Sequence, residues 1–444
     1  MALDLALRTA ASLPQLESFS RFRDYIEPQW IEEALEATGV ATLRRRRLPA
    51  EQVIWLVLGI ALFRDKAIEE VVDKLDVALP SPRGAVAKSA IPQARARLGA
   101  EPMQWLFERT AKKWAHESAD RHRWRGLALY GIDGSALRLA DTSDNRAEFG
   151  GWLSGTGDSS NPIVRITLLT VLRSHLLAAA SFGPYAKTSE LGMAADLVQH
   201  IPGQSLTILD ALYLGASFLL NLERADERRH WMTKAKSTTK MREVERYADG
   251  DALVEMDVSW DARKLDPSLP KTWRARAIRY QRPGFVPQVL LTSLLDPNEF
   301  PAAELRELYH ERWEIELAYG ELKTDMLEAE VTLRSKSRTS VIQEIWGILI
   351  GFNLVRLEME RIAQDARVAP TRISFIAALH LIRDQWAWST DARSPGAIPK
   401  QLVTLRERIK RFILPPRRSE RSYPRMLKND YRAYPRRPRG AGLK

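Results

Sequence analysis

The sequence predicts an α/β protein of several domains, with helical regions at both ends and a mixed α/β centre. Three observations carry that prediction. At 444 residues the chain is too long for one compact domain. The spacing of apolar residues changes from helical to strand-like near Gly126 and back again near Pro301. Charge is distributed unevenly: residues 401–444 hold 14 Lys/Arg against three Asp/Glu, which accounts for the whole net charge of +11.

Residues 1–120 read as mostly helical. Pro28–Thr38, Ala50–Leu62, Ile68–Leu75, Ile91–Leu98 and Glu101–His116 space their apolar residues for one helix face. Joints such as Leu79-Pro80-Ser81-Pro82 divide them. Arg44–Arg47 reads either as a solvated run or as a phosphate contact. Beyond Gly126, four short segments are rich in branched residues and bounded by Gly, Pro, Asn or Asp: Leu127–Ile132, Ile163–Leu172, Leu176–Phe182 and Ser205–Leu209. Helical stretches Ser189–His200 and Leu212–Ala225 interleave with them. His230–Leu295 is β-rich, with strands expected at Leu253–Val258, Trp273–Gln281 and Gln288–Leu295. Helices return from Pro301, through Val341–Ile362 and Ile373–Trp388, before a Pro/Arg-rich tail without periodicity.

Composition excludes several classes. A hydrophobic fraction of 45% supports a core, so disorder throughout is ruled out. The absence of cysteine removes disulfides, thiolate zinc sites and a Cys nucleophile, and the seven histidines do not cluster. The apolar runs Val53–Phe63 and Ile345–Val355 are too short to span a bilayer, and the amino terminus has no signal or lipidation pattern. A cytoplasmic chain with a polyanionic partner and no membrane is expected.

The chemistry lies in the helix after Pro301. Tyr309, Arg312, Glu316 and Lys323 sit at i, i+3, i+7 and i+14. At about 100° per residue they share an arc roughly 60° wide, spread over roughly 21 Å of helix axis. Leu308, Ile315, Tyr319, Leu322 and Met326 form the neighbouring, buried arc, which leaves Glu307, Glu311, Glu314 and Glu321 to solvent. An i, i+4 salt bridge explains Arg312 and Glu316 but not Tyr309 and Lys323. A carboxylate that binds Mg²⁺ beside cations that grip phosphate needs this grouping. Asp133 and Asp210 stand at expected strand ends, where α/β sheets bind ligands, although either also reads as a cap or turn residue.

The Tyr309–Arg312–Glu316–Lys323 spacing resembles the YREK signature of bacterial insertion-sequence transposases of family four. Leu308-Tyr-His-Glu-Arg-Trp-Glu-Ile-Glu316 is similar to that family's "Y..RW.IE" segment. Ile132-Asp-Gly-Ser135 resembles its first-aspartate motif and Leu206–Tyr213 its second. Ile345-Trp-Gly, Asn353–Arg356 and the tail Pro416–Arg425 resemble it too; the match is firm over 126–356 and looser before. The resemblance implies a ribonuclease-H-like mixed-sheet catalytic core in two parts, 121–228 and 301–360, separated by a β-rich insertion at 229–300. A helical DNA-binding domain at 1–120 and a carboxyl-terminal region with a basic tail at 361–444 complete the expected layout.

It further implies a DDE triad of Asp133, Asp210 and Glu316 holding two Mg²⁺ or Mn²⁺ ions. Tyr309, Arg312 and Lys323 would hold phosphates of double-stranded DNA at the element's ends, with a homodimer pairing two ends in the bacterial nucleoid. Relatives that excise through a hairpin stack a flipped base on an insertion-domain aromatic; Trp273 and Trp231 are candidates, and both also read as core residues. By the same resemblance Lys234 and Lys236 belong to a basic strand on DNA. Arg274 and Arg276 alternate along a strand and could track a backbone. Glu190 reads as a capping residue. In the tail, Arg417, Arg418, Arg421, Arg425 and Lys428 read either as a DNA arm or as a solvated segment. Two other functions remain open: a nuclease of the same fold that cuts without joining, and a catalytically silent DNA-binding derivative.

Overall fold

The computed structural model describes residues 25–40, 48–75, 86–151, 153–154, 157–158, 161–281, 286–328, 332–388 and 397–416. Arg44–Arg47 and the tail residues Arg417, Arg418, Arg421, Arg425 and Lys428 lie outside the described residues. Helices α1 (Pro28–Ala37), α2 (Ala50–Leu62), α3 (Ile68–Lys74), α4 (Ala90–Leu98) and α5 (Glu101–Arg121) come first. The long α5 follows from its sequence. Pro102 sits in its first turn, where a missing N–H costs nothing. Met103, Leu106, Phe107, Thr110, Ala111, Trp114 and Ala115 then recur at helical spacing and are buried.

The central sheet contains β1 (Ala128–Leu139), β4 (Ile163–Val171), β5 (Leu177–Pro184), β6 (Ser205–Ile208) and β7 (Arg229–Lys234), in the order β5-β4-β1-β6-β7. Helix α6 (Ser143–Phe149) and the small pair β2 (Leu153–Ser154) and β3 (Gly157–Asp158) lie between β1 and β4 in sequence. Strand β4 is antiparallel to both β1 and β5, while β6 and β7 run parallel to β1. The order β5-β4-β1-β6-β7, with β4 alone reversed, is the ribonuclease-H-like arrangement the resemblance implies. Helix α7 (Glu190–Leu197) connects β5 to β6, and α8 (Ala216–Arg224) connects β6 to β7.

Strand β7 falls within the expected insertion, 229–300, yet pairs in parallel with β6 from Ser205↔Arg229 to Ile208↔Met232. Beyond it come β8 (Arg242–Ala248), β9 (Asp251–Asp257), helix α9 (Trp260–Leu265), β10 (Thr272–Tyr280) and β11 (Gln288–Thr292). Because β11 pairs antiparallel with β7, these strands extend the same sheet.

Packing here overturns three expected DNA contacts. Arg276 is 0% exposed: its guanidinium donates to both Asp251 oxygens, at 2.7 and 2.6 Å, and to the Phe300 carbonyl at 2.6 Å. It is a core ion pair. Trp231 and Trp273 are core residues as well, 0% and 7% exposed, with ring centroids 5.5 Å apart. The indole N–H of Trp231 donates to Glu223. A ring enclosed on this scale has no open face for a flipped base.

The remaining helical elements are α10 (Ala302–Leu308), α11 (Trp313–Gly320), α12 (Arg338–Ala366), α13 (Phe375–Trp388) and α14 (Ala397–Lys410); a short β12 (Thr332–Leu333) pairs parallel to β1. Helix α12 is the spine. It has the length and apolarity to span a membrane, but 89% of that window is buried in the protein. A Cβ on Gly347 would lie 2.9 Å from Val57 Cγ1, so glycine permits α2 and α12 to cross closely. Polar links tie α12 to the amino-terminal helices: Arg64 donates to Glu344 at 2.9 Å, Arg95 to Gln343 at 3.0 Å, and Ser118 to Glu360 at 2.8 Å.

Arg276→Ala leaves Asp251 buried and unpaired, which should cost about 3–5 kcal/mol. Arg274→Ala, on an exposed side chain facing Glu255, should stay within about 0.5 kcal/mol. Denaturant unfolding followed through the Trp231–Trp273 pair would separate the two.

Candidate active site

Strand register places the first two carboxylates. In the β1–β6 pairing, Gly131 lies opposite Ile208 at the last paired position. Asp133 and Asp210 each follow two residues later. The sequence reading ends the first strand before Asp133; instead β1 runs on to Leu139, because β4 continues to pair with it and Asp133 sits opposite Leu168. Strand β6 stops at Ile208, and Asp210 caps a 3₁₀ turn at Ala211–Tyr213, accepting from the Ala211 N–H. A cleft therefore opens where one parallel strand ends and its neighbour goes on.

The third carboxylate comes from the segment packed over β1. A Cβ on Gly131 would fall 2.3 Å from Ile315 Cδ1, so this glycine admits α11 against the strand. The Tyr319 hydroxyl donates to the Asp133 carbonyl at 2.8 Å, and Lys323 Nζ donates to Ser135 Oγ at 3.0 Å. Alternate positions 131, 133 and 135 of β1 thus face the helix. Arg312 donates to Glu316 Oε1 at 2.8 Å, and the Tyr309 hydroxyl reaches the Leu209 carbonyl at 3.5 Å.

One regular helix does not carry these residues. Tyr309–Arg312 is wound as 3₁₀, Trp313–Gly320 as α and Glu321–Met326 as π. The wheel drawn at a constant 100° therefore fails in detail, although Leu308, Ile315, Tyr319, Leu322 and Met326 are buried as expected. A π turn commonly marks a functional site; here it sits at Lys323. Of the glutamates assigned to solvent, Glu307 is exposed, but Glu311, Glu314 and Glu321 have partners. His175, fully buried at φ +61°, meets Glu314 through Nε2 at 2.9 Å and Glu321 through Nδ1 at 2.8 Å. Arg356, also buried, holds the Ser174 carbonyl at 2.7 Å and Glu321 at 3.3 Å. Arg173 holds Glu311 at 2.7 Å. The β4–β5 turn is thereby clamped to the segment 309–326.

Electrostatics mark the cleft. Burial pushes the Asp133 carboxyl up to about 6; the Gly134 N–H and Arg312 oppose this, and Glu190 and Asp210 add to it. Burial raises the Tyr309 phenol to about 12. It lowers Lys323, with Arg138 adding to the effect. Burial also opposes the charge on Arg312, but Glu316 and Tyr309 outweigh it and hold its pKa raised. The donor set of Asp133, Asp210 and Glu316 is all carboxylate oxygen, which suits hard cations such as Mg²⁺ or Mn²⁺. Among the described residues no three His, Asp or Glu side chains are already gathered to hold a metal, and Glu316 is turned to Arg312.

The outlying predictions scatter. Lys234 ends β7 half-buried, whereas Lys236 lies beyond the strand in a turn closed by Thr239 Oγ1 to its N–H at 3.1 Å. Lys236 is therefore not part of the basic strand that the resemblance implies. Arg274 is exposed and faces Glu255 at 3.6 Å. The sequence reading missed Tyr213 and the placement of Glu190. Ser189 does the capping, by accepting from the Gly192 N–H, which leaves the Glu190 carboxylate to another use. A tyrosine three residues after Asp210 was the available signal.

A family profile described as insertion element 4 transposase N-terminal matches residues 16–108, and one described as transposase DDE domain matches residues 124–354. The chain is 37% identical over 439 residues to the transposase InsG for insertion sequence element IS4 of Escherichia coli K12, covering 99% of this chain and 98% of that protein. It is 31% identical over 272 residues to the putative transposase InsZ of the same strain, covering 58% and 89%. A chain of the piggyBac transposase synaptic complex with hairpin DNA aligns over 91% of this chain and 87% of that one, at 12% identity and a TM-score of 0.41.

Because the folded chain holds the Asp133 proton more tightly than the unfolded chain, ionisation of Asp133 weakens the fold. The penalty is absent below about pH 4, grows as pH rises toward about 6, and is full above that. In chelator, Asp133→Asn should therefore be more stable than the parent at pH 7.5, by about 1–3 kcal/mol. The gap should close near pH 4. Thermal denaturation across that range checks the sign.

Proposed function

The chain belongs to the insertion element 4 family of DDE transposases, and from that membership we propose that it mobilises its own insertion sequence. It binds the terminal inverted repeats, cuts at the element's ends, and joins the freed 3′-hydroxyls to target DNA in the bacterial cytoplasm. A homodimer brings the two ends together. One observation carries the reading: Asp133 and Asp210 each stand two residues beyond the last paired position of β1 and β6, beside the segment that bears Tyr309, Arg312, Glu316 and Lys323.

Asp133, Asp210 and Glu316 would hold two Mg²⁺ or Mn²⁺ ions. Bound there, such ions lower the pKa of an attacking water or 3′-hydroxyl and stabilise the leaving oxygen of an in-line displacement. Glu316 must first give up Arg312, and the guanidinium so released can turn to a phosphate. Lys323, whose charged form burial already disfavours, gains by meeting an anion. Tyr309, held near Leu209, fills the space beside Asp210 and orients the backbone that enters it. No covalent protein–DNA intermediate is required. With Trp231 and Trp273 in the core, neither is assigned to base stacking.

The test is cleavage and joining of linear DNA carrying the native ends, with and without Mg²⁺. Asp133→Asn, Asp210→Asn and Glu316→Gln should each abolish cleavage while binding of end DNA persists; normal cleavage in any one removes it from the triad. Cleavage without joining would make the chain a nuclease, and binding without cleavage a silent DNA-binding protein.

Arg312→Ala or Lys323→Ala should lower the slope of log affinity against log salt by about 0.9 per lost phosphate contact. An unchanged slope would place that residue off the DNA.

A further inference from the structure

Glu190 begins α7, which joins β5 to β6. Its carboxylate does not face solvent as a first-turn glutamate usually does; the side chain is 20% exposed. Two contacts draw it inward. The Tyr213 hydroxyl, fully buried, donates to Glu190 Oε1 at 2.8 Å. That hydroxyl belongs to the 3₁₀ turn capped by Asp210. On the other side, the carboxylate lies over Gly134, the residue after Asp133: a Cβ there would fall 2.3 Å from Glu190 Cδ and 2.5 Å from Oε2. Arg165 Nη1, stacked on the Tyr185 ring, stands 4.0 Å from Oε2.

Glu190 is thereby fixed between the strand that carries Asp133 and the turn that carries Asp210. Alternation puts the Gly134 Cα–H direction on the opposite face of β1 from the Asp133 side chain. That would separate the two carboxylates inside a continuous sheet, but β6 has already ended at Ile208, so on the side away from β4 the edge of β1 is open and the two faces meet there. The placement of Glu190 is not adventitious, because it needs a glycine at 134 and a buried tyrosine at 213. Nor is it a capping role, since Ser189 fills that role.

We propose that Glu190 is a fourth carboxylate of the catalytic centre, positioned by Tyr213 and Gly134 to join Asp133 and Asp210 in holding divalent metal. The inference rests on the metal-dependent reading of the site given above. The chemistry favours it. Two divalent cations bring four positive charges to a triad with three negative charges, one of them matched by Arg312. A fixed fourth carboxylate adds charge and a hard oxygen donor without a further loop having to move. Tyr213 occupies Oε1 as a hydrogen-bond donor, which leaves Oε2 for the ion and orients it.

The experiment measures Mn²⁺ binding to the full chain on uncut end DNA, by paramagnetic resonance of free Mn²⁺, beside the Mn²⁺ dependence of cleavage. Glu190→Gln keeps the shape and the Tyr213 hydrogen bond but removes the charge. It should weaken Mn²⁺ binding by about tenfold or more, and shift the Mn²⁺ needed for half-maximal cleavage upward by a similar factor, with end-DNA affinity unchanged. Gly134→Ala, which displaces the carboxylate while keeping every acidic residue, should weaken Mn²⁺ binding in the same direction. Unchanged Mn²⁺ affinity in Glu190→Gln, with or without a lower melting temperature, overturns the proposal and leaves Glu190 a structural residue. Asp210→Asn is the control. If it loses Mn²⁺ binding and cleavage while Glu190→Gln does not, only this inference fails. If Asp210→Asn cuts normally, the triad reading fails instead.

Discussion

The parallel pairing of β1 with β6 is the constraint on which the rest depends. Once Gly131 faces Ile208, the positions of Asp133 and Asp210 follow, and so does the opening where β6 ends. A slip of one residue would turn Asp133 to the other face of the sheet and remove it from the catalytic segment. The register is well defended. Residues 128, 129, 130 and 132 of the first strand and 206 and 208 of the second are buried. Thr233 from β7 also donates to the Asp210 carbonyl at 2.9 Å, fixing the residue just beyond the pairing.

Bringing carboxylates together opposes folding, and the partners that each one meets offset it. Two carboxylates of the catalytic segment meet His175, and one of these also meets Arg356, all on the side away from the cleft. Glu316 meets Arg312 within it. The arrangement separates two jobs. Glutamates on the outer side bind the segment to the β4–β5 turn and set its winding, so the inner ones are free to change partners.

Much of this was legible in the sequence. The strand-rich motifs around Asp133 and Asp210 stood out because branched residues bounded by Gly and Asp have few other uses. The YREK spacing stood out because four unlike polar residues seldom share one arc. What escaped had physical reasons. A constant helical period cannot anticipate a change from 3₁₀ to α to π winding, which tertiary contacts impose. Alternation correctly put Arg274 and Arg276 on one face of β10 but could not say that Asp251 and the Phe300 carbonyl bury only the second. Glu314 and Glu321 looked solvated because their partners, His175 and Arg356, lie 139 and 35 residues away in sequence. Glu190 matched a local capping pattern, and its real neighbours, Gly134 on β1 and Tyr213 in the turn after β6, are distant in sequence.

The pairing of β11 with β7 carries a mechanical consequence. Strands β8 to β11 are not a module hung on a tether; they continue the plate that contains β6 and β7. A hydrogen-bonded plate resists stretching between adjacent strands far more than it resists twisting along its length. With Thr233 of β7 donating to the Asp210 carbonyl, a displacement of these strands is carried to the Asp210 turn through hydrogen bonds rather than across a linker.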